Sequence, residues 1–338
     1  MIGQLIDRYK QHKKHRFLSQ YDSYEKGYAF VGVGGHSLSN LYPVIDHLGL
    51  PLKYIYSRKL SNASSTAIKY KNTVATNQLE DILHDNTVEA VFICAHPSVH
   101  FELSKKCLKA GKHVFVEKPP CATENELDEL ISLSKQQTSL VGFQKRYSAI
   151  AEILKKVKGV TSYQYQYHTG GYPEGNAILD LFIHPIDLCI YLFGAINKHH
   201  IIEKNNTIFI QAEHQNGIVG QLSLSTAYSW SNPKETIEVN TQKGFYISEN
   251  SNRLTLVEKS SSVLGIPLEK IARQPVVKKE LLNSNGFIPL AEHNSLTTQG
   301  YYGEIKAFVD AVEKNQVKTP SDFQSLKNTF SFIDQLND

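Results

Sequence analysis

The sequence predicts an α/β Rossmann domain followed by an α+β domain with a large, mostly antiparallel open sheet. Between residues 28 and 146, short apolar runs alternate with helical patterns, which is typical of a parallel sheet covered on both faces. After about residue 150 the polar and aromatic residues of 161–167 alternate with a period of two, which indicates a half-solvated sheet. A chain of 338 residues is long enough for two domains with separate cores.

These patterns divide the chain into three parts. Residues 1–27 are expected to form an N-terminal helical arm, because the run is basic and Ile2, Leu5, Ile6 and Tyr9 share one helical face. Residues 28–147 are expected to form the dinucleotide-binding Rossmann domain. Residues 148–338 are expected to form the α+β substrate and oligomerisation domain.

The elements of the first domain follow in order along the chain. Predicted strands lie at 28–33, 52–56, 90–95, 114–116 and 139–143, and predicted helices at about 39–48, 79–84, 100–110 and 124–135. In the second part, strands are expected at 161–167, 207–213, 218–225, 235–240, 244–248 and 254–258, with a hairpin turn at Asn216-Gly217. Residues 259–300 suggest long loops, and 301–314 show helical periodicity.

Composition excludes several classes of protein. The net charge of +3 is too small to indicate a nucleic-acid partner. No apolar run approaches the roughly 20 residues that span a bilayer, so no membrane association is expected. The four cysteines show no paired spacing, which indicates reduced thiols in a cytoplasmic protein and no metal site.

A glycine turn follows the first predicted strand. Gly32, Gly34 and Gly35 lie where that strand meets the first helix, which suits close approach of backbone to a pyrophosphate. Ser37 replaces the third glycine of the full fingerprint and is small enough to keep the helix close. We also expect His36, between Gly35 and Ser37, to contact the cofactor. A plain structural turn is the alternative interpretation of this motif alone.

The end of the second strand indicates which dinucleotide binds. Ser57 and Arg58 stand where an NAD-binding chain carries an acid for the ribose 2′-hydroxyl. A hydroxyl and a guanidinium suit a 2′-phosphate, so NADP is expected as the cofactor, with NAD as the alternative.

Two further clusters carry titratable groups. Glu117-Lys118-Pro119 follows a buried strand, and a lysine at such a strand end can exchange protons because burial shifts its pKa. Asp180 and His184 lie one helical turn apart, so the carboxylate can orient the imidazole. Pro185 predicts an irregular helix near His184. A buried structural histidine is the alternative for this pair taken alone.

With these motifs together, the chain resembles the Gfo/Idh/MocA family of NAD(P)-dependent oxidoreductases from residue 28 to the C-terminal helices. The most specific points are the glycine turn, the Ala95–His100 segment, Glu117-Lys118-Pro119, the Gly142–Tyr147 segment and the Asp180/His184 pair. The resemblance implies that Lys118 and His184 handle the proton and that Asp180 binds substrate or orients His184. It also implies that the nicotinamide end of the cofactor is surrounded by Ala95, His96, Pro97, His100, Glu117, Lys118 and Arg146.

The resemblance implies hydride transfer between a nicotinamide cofactor and a sugar, cyclitol or related polyol or ketone, in a homo-oligomer. Phe182 stands where the family usually has a glycine, so its ring could line or crowd the substrate pocket. Two alternatives remain at this point: a nicotinamide-dependent glycosidase of the same fold, and a non-catalytic NADP-sensing regulatory protein. Retention of lysine, aspartate and histidine together argues against the sensor.

Overall fold

A parallel sheet forms the core of the first half of the chain. The computed structural model describes residues 2–18, 23–173, 175–273, 276–284 and 294–337. The strands of this sheet are β1 Gly27–Val31, β2 Leu52–Tyr56, β3 Val74–Thr76, β4 Val88–Ile93, β5 His113–Glu117 and β6 Ser139–Gly142. They are ordered β3-β2-β1-β4-β5-β6 and every pairing is parallel. The order reverses between β1 and β4, and the carboxyl ends of these strands form the crevice where such folds bind ligands.

Eleven α-helices are found in the described residues. They are α1 Ile2–Leu18, α2 Tyr42–Leu48, α3 Leu60–Ala67, α4 Glu80–Leu83, α5 His100–Lys109, α6 Glu124–Leu133, α7 Ala149–Leu154, α8 Ile183–Phe193, α9 Ser295–Thr298, α10 Tyr301–Glu313 and α11 Lys327–Asn337. None of them is long and apolar enough to cross a lipid bilayer.

The second sheet has eight strands. They are β7 Val160–His168, β8 Ile196–Lys204, β9 Thr207–His214, β10 Val219–Ser225, β11 Lys234–Thr241, β12 Gly244–Glu249, β13 Arg253–Glu258 and β16 Lys278–Asn283, and β14 Ser262–Val263 pairs separately with β15 Ile266–Pro267. The order is β16-β13-β12-β11-β7-β10-β9-β8, and only β7 and β10 pair in parallel. Together with the first sheet, this confirms the predicted fold class.

The alternation of aromatic and polar residues along β7 shows which face of this sheet is buried. Tyr163 and Tyr165 are buried with Phe193 of α8 in one apolar core, whereas Gln164 on the opposite face is exposed. Phe209 of β9 and Val219 of β10 lie on the same face as Gln164 and are 40% and 51% exposed.

A helix from the C-terminal part of the chain covers the first sheet. Ile305 and Phe308 of α10 pack in one core with Phe92 and Phe115, and the Phe92 and Phe308 rings are 5.3 Å apart. The helical periodicity predicted this amphipathic helix, but the sequence did not show which sheet it would cover.

Two stretches in the second half of the chain differ from expectation, and the N-terminal helix agrees with it. The edge strand β8 was not predicted, because its largely exposed residues lack apolar alternation. The stretch 259–300 contains β14, β15, β16 and α9 rather than loops alone, and 274–275 and 285–293 lie outside the described residues. The predicted N-terminal helix is present as α1, with Leu5, Ile6 and Tyr9 exposed.

Candidate active site

The glycine turn lies between β1 and α2 at the crevice. Gly32 has φ +113°, and a Cβ there would lie 2.1 Å from the carbonyl oxygen of Cys94, so no larger residue fits. A Cβ on Gly34 or Gly35 would have no neighbour within 4 Å, so the backbone here borders open space. Ser37 is buried, and its hydroxyl accepts from the Gly34 amide and donates to the Gly34 carbonyl, both at 3.0 Å. This arrangement suits a dinucleotide pyrophosphate.

The segment Ser57-Arg58-Lys59 at the end of β2 contains no carboxylate that could bind a ribose 2′-hydroxyl. Ser57 is buried and its amide donates to Thr76 O at 3.1 Å, while Arg58 and Lys59 are exposed. Two exposed cations beside a hydroxyl fit a 2′-phosphate better than an unmodified ribose.

Glu117 is a buried carboxylate at the end of β5. Its Oε1 lies 3.2 Å from His36 Nε2, and its Oε2 accepts from the Lys118 amide at 3.2 Å. Gly142 leaves room for this carboxylate, because a Cβ there would lie 2.9 Å from Oε2. Glu117 therefore links the glycine turn, through His36, to the lysine.

Lys118 reaches from the first half of the chain to the second. Its Nζ donates to the carbonyl oxygen of Asp180 at 2.6 Å. Burial lowers the pKa of the Lys118 amine, while the carboxylates of Glu117 and Asp180 act in the opposite direction. The amine is therefore more readily deprotonated than a solvated lysine, which suits a proton acceptor.

Asp180 lies in a π-helical turn, Ile178–Phe182, that leads directly into α8. Such turns are rare and are frequent at functional sites, and the irregularity lies where Pro185 predicted one. The Asp180 Oδ2 accepts from the Tyr172 hydroxyl at 3.2 Å. Within the described residues no hydrogen bond joins this carboxylate to His184, which favours substrate binding over ring orientation for Asp180.

His184 is buried in the first turn of α8 and its ring meets Phe143 edge-on. Its Nδ1 has no hydrogen-bond partner among the residues that the structure describes. Burial lowers the pKa of His184 well below its usual value, and the charges of Lys118 and Lys145 lower it further. The imidazole is thus neutral, and it lies close enough to Lys118 for the two groups to interact electrostatically.

Two of the predicted cofactor contacts are buried and have hydrogen-bond partners within the protein. The Arg146 side chain is 2% exposed, and its guanidinium pairs with the Asp187 carboxylate at 2.5 Å. Asp187 accepts on both oxygens, and the remaining guanidinium nitrogen donates to Pro320 O at 2.7 Å. The His100 ring lies between Pro119 O at 2.8 Å and Ala95 O at 3.0 Å, so it joins the ends of two strands.

The other predicted positions have simple surroundings. His96 and Pro97 are exposed at the end of β4, and the His96 Nδ1 lies 2.8 Å from Ser98 Oγ. Phe182 is buried against Tyr167 and belongs to the core, so its ring does not crowd the crevice.

Sequence reasoning missed Glu304 of α10. This carboxyl is fully buried, and neither oxygen has a hydrogen-bond partner in the described part of the chain. Burial raises its pKa well above the usual value, and neighbouring Glu117 raises it further, so the group is a neutral acid. The signal was its position, since Glu304 lies one turn before Phe308 on the buried stripe of the helix.

Sequence reasoning also gave Lys145 no role of its own. Its Nζ lies 2.8 Å from both carboxylate oxygens of Glu235, which joins the end of the first domain to β11. The Tyr165 hydroxyl donates to the same carboxylate. This buried pair places a fixed positive charge near His184 and helps to keep the imidazole neutral.

Comparison with known proteins identifies the wider group. A family model described as "Oxidoreductase family, NAD-binding Rossmann fold" matches residues 26–144, and its companion, the "C-terminal alpha/beta domain", matches 157–329. The scyllo-inositol 2-dehydrogenase (NADP(+)) of Bacillus subtilis is 25% identical over 210 residues, which is 54% of this chain and 58% of that protein. The chain spans about half the length of the first curated relatives it matches, at 47, 53 and 51%.

Solved structures show the same fold. A dehydrogenase from Chromobacterium violaceum has a TM-score of 0.79 at 20% identity, covering 93% of this chain and 95% of that one. Levoglucosan dehydrogenase, in complex with NADH and levoglucosan, has a TM-score of 0.76 at 16% identity, covering 91% and 95%. With both family models matching in order across most of its length, the chain belongs to the Gfo/Idh/MocA oxidoreductase family, and its first half is that family's NAD-binding Rossmann fold.

Proposed function

We propose that this protein transfers a hydride between NADP and a sugar, cyclitol or related polyol or ketone. The observation that carries the proposal is the meeting of Lys118 and Asp180: the Lys118 Nζ lies 2.6 Å from the Asp180 carbonyl, beside a buried neutral His184. An amine with a lowered pKa and a neutral imidazole, beside a dinucleotide fold, suit proton transfer to and from a carbinol.

In this proposal the chain's own residues manage the proton. In the oxidative direction, neutral Lys118 or His184 takes the hydroxyl proton of the substrate. In the reductive direction, the same group returns a proton to the nascent alkoxide. Asp180 binds substrate hydroxyls, since its carboxylate is held by Tyr172 rather than by the histidine. The nicotinamide supplies the hydride chemistry when bound.

The cofactor is held by the ends of four strands, β1, β2, β4 and β5. The open backbone at Gly34 and Gly35 receives the pyrophosphate, with Ser37 closing the turn. Ser57 and Arg58 receive the 2′-phosphate, which is the support for NADP over NAD. His36, Ala95, His96, Pro97 and Glu117 line the approach to the nicotinamide.

The relatives of this chain favour this substrate class over the alternatives. One is an inositol dehydrogenase that uses NADP, and one was solved with levoglucosan, an anhydrosugar. They support oxidoreduction rather than glycoside cleavage or sensing. We further propose a homo-oligomer, supported by the exposed face of the second sheet, and a cytoplasmic location, supported by four free cysteines.

A substrate screen tests the proposal. Purified protein is incubated with NADP⁺ or NAD⁺ and myo-inositol, scyllo-inositol, levoglucosan or glucose, and reduced cofactor is followed by absorbance. We expect steady turnover with at least one of these compounds and a higher kcat/KM with NADP⁺. Cofactor binding without turnover of any polyol or matching ketone would contradict it, and sugar release from glycosides without net reduction would identify the glycosidase.

A further inference from the structure

Two exposed aromatic side chains lie in the loop that follows β10. Tyr228 is 57% exposed and Trp230 is 55% exposed. Trp230 is the one tryptophan of the sequence. Tyrosine and tryptophan are enriched at binding interfaces, because each ring offers an apolar body and a polar group that can find a hydrogen-bond partner.

The indole of Trp230 is fixed rather than free. Its Nε1–H donates to the carbonyl oxygen of Gly171 at 2.8 Å. A Cβ on Gly170 would lie 2.2 Å from the indole Cδ1, so the ring lies directly on the glycine backbone. The Tyr228 amide donates to Thr169 O at 2.9 Å, which anchors the same loop a second time. The loop and the indole are therefore already ordered in the free protein, so ligand binding loses little conformational entropy here.

The supporting loop runs directly into the candidate active site. Residue Tyr172 follows the glycines, and its hydroxyl donates to Asp180 Oδ2 at 3.2 Å. Gly175 in the same loop lies against that carboxylate, because a Cβ there would be 2.5 Å from Oδ2. The backbone carbonyl of Asp180 in turn accepts from Lys118 Nζ. Since β7 and β10 are adjacent and parallel, the loops that follow them leave the sheet at the same end of the strands.

We propose that Trp230, with Tyr228 beside it, is a substrate-binding platform that takes the apolar face of a sugar or cyclitol ring at the rim of the crevice. The inference rests on the proposed function and names how its substrate is recognised. The C–H face of such a ring is apolar and weakly electropositive, which suits the electron-rich face of an indole. The ring's hydroxyls remain free to bind Asp180.

The single tryptophan gives a direct binding test that needs no turnover. Protein saturated with NADP⁺ is titrated with myo-inositol and with glucose while indole emission is recorded. We expect a saturable change in emission for at least one of the two compounds. Emission that stays constant up to concentrations saturating turnover, or up to the solubility limit of both compounds, overturns the platform.

Two variants and a control test the role in catalysis. Trp230→Ala is expected to raise KM for the polyol about tenfold with a smaller effect on kcat, because truncating a binding residue weakens ground and transition states alike. Trp230→Phe keeps an aromatic ring but loses the hydrogen bond to the Gly171 carbonyl. Its KM is therefore expected to lie between the KM of the wild type and that of Trp230→Ala. Tyr9→Ala removes an exposed ring from α1 and is expected to leave KM unchanged.

The outcomes separate this inference from the proposed function. If the wild type turns over a polyol but Trp230→Ala keeps its KM, the platform is wrong and the function stands. If Trp230→Ala lowers kcat alone, the loop is structural and the platform is also wrong. If no polyol is turned over, the function fails, and the emission titration decides about the platform by itself.

Discussion

Burial determines the protonation of individual residues in this site, and it acts on acids and bases in opposite directions. It lowers the pKa of Lys118 and His184, and it raises that of Glu304. All three groups are thereby moved towards their neutral forms. Among the described residues, Glu304 interacts electrostatically with Glu117, Cys94, Tyr147 and Tyr301.

Single residues also show where sequence reasoning reached its limit. Lys118, Asp180 and His184 could be found because they stand in short motifs with recognisable spacing. Arg146 stands in a motif too, but its partner Asp187 is 41 residues away and only the fold brings the two together. Glu304 belongs to no motif, and its place on the buried stripe of α10, one turn before Phe308, was the one sign that the sequence offered.

The lowered pKa of Lys118 predicts opposite pH dependences in the two reaction directions. Oxidation needs the neutral amine, so kcat/KM for the polyol should rise with pH and level off below the ordinary lysine value of 10.5. Reduction needs the protonated amine, so its kcat/KM should fall as pH rises through the same pKa. Rate profiles from pH 6 to 11 in both directions check this. An oxidation rate that falls with rising pH would show that another group accepts the proton.

At the scale of elements, the site is formed by the carboxyl ends of the first sheet's strands together with the π-helical turn Ile178–Phe182 and the first turn of α8. The strands of the first sheet were predictable because buried parallel strands form continuous apolar runs. The edge strand β8 was not, because it is stabilised by pairing with β9 rather than by burying side chains. The loop after β7 carries Gly170 and Tyr172, and sequence alone gave no reason to place it against Trp230.

The end of β2 predicts cofactor discrimination. Arg58→Ala should raise the Kd for NADP⁺ about tenfold and leave that for NAD⁺ nearly unchanged, because charge-assisted bonds to the 2′-phosphate are lost. Titration of both cofactors by calorimetry measures this. Lys53→Ala is a matched control, since it removes an exposed cation from the start of the same strand. Equal weakening of both cofactors in Arg58→Ala would refute 2′-phosphate recognition.

At the scale of the whole molecule, the two halves of the chain are joined by contacts that also build the site. Lys118 meets Asp180, Lys145 pairs with Glu235, and α10 returns from the C-terminal part to cover the first sheet. The sequence predicted both domains and their order, because each has its own periodicity. It could not predict these long-range contacts, because no local pattern encodes which surfaces face each other.

The most direct test of the account is to compare turnover and cofactor affinity in Lys118→Ala. We expect turnover to fall by about 10² to 10⁴-fold, because the proton-transfer group is lost. The Kd for NADPH should stay within about twofold of the wild type, as should both quantities in the control Lys106→Ala, an exposed lysine of α5. Wild-type turnover in Lys118→Ala would contradict the assignment of this amine to the chemistry.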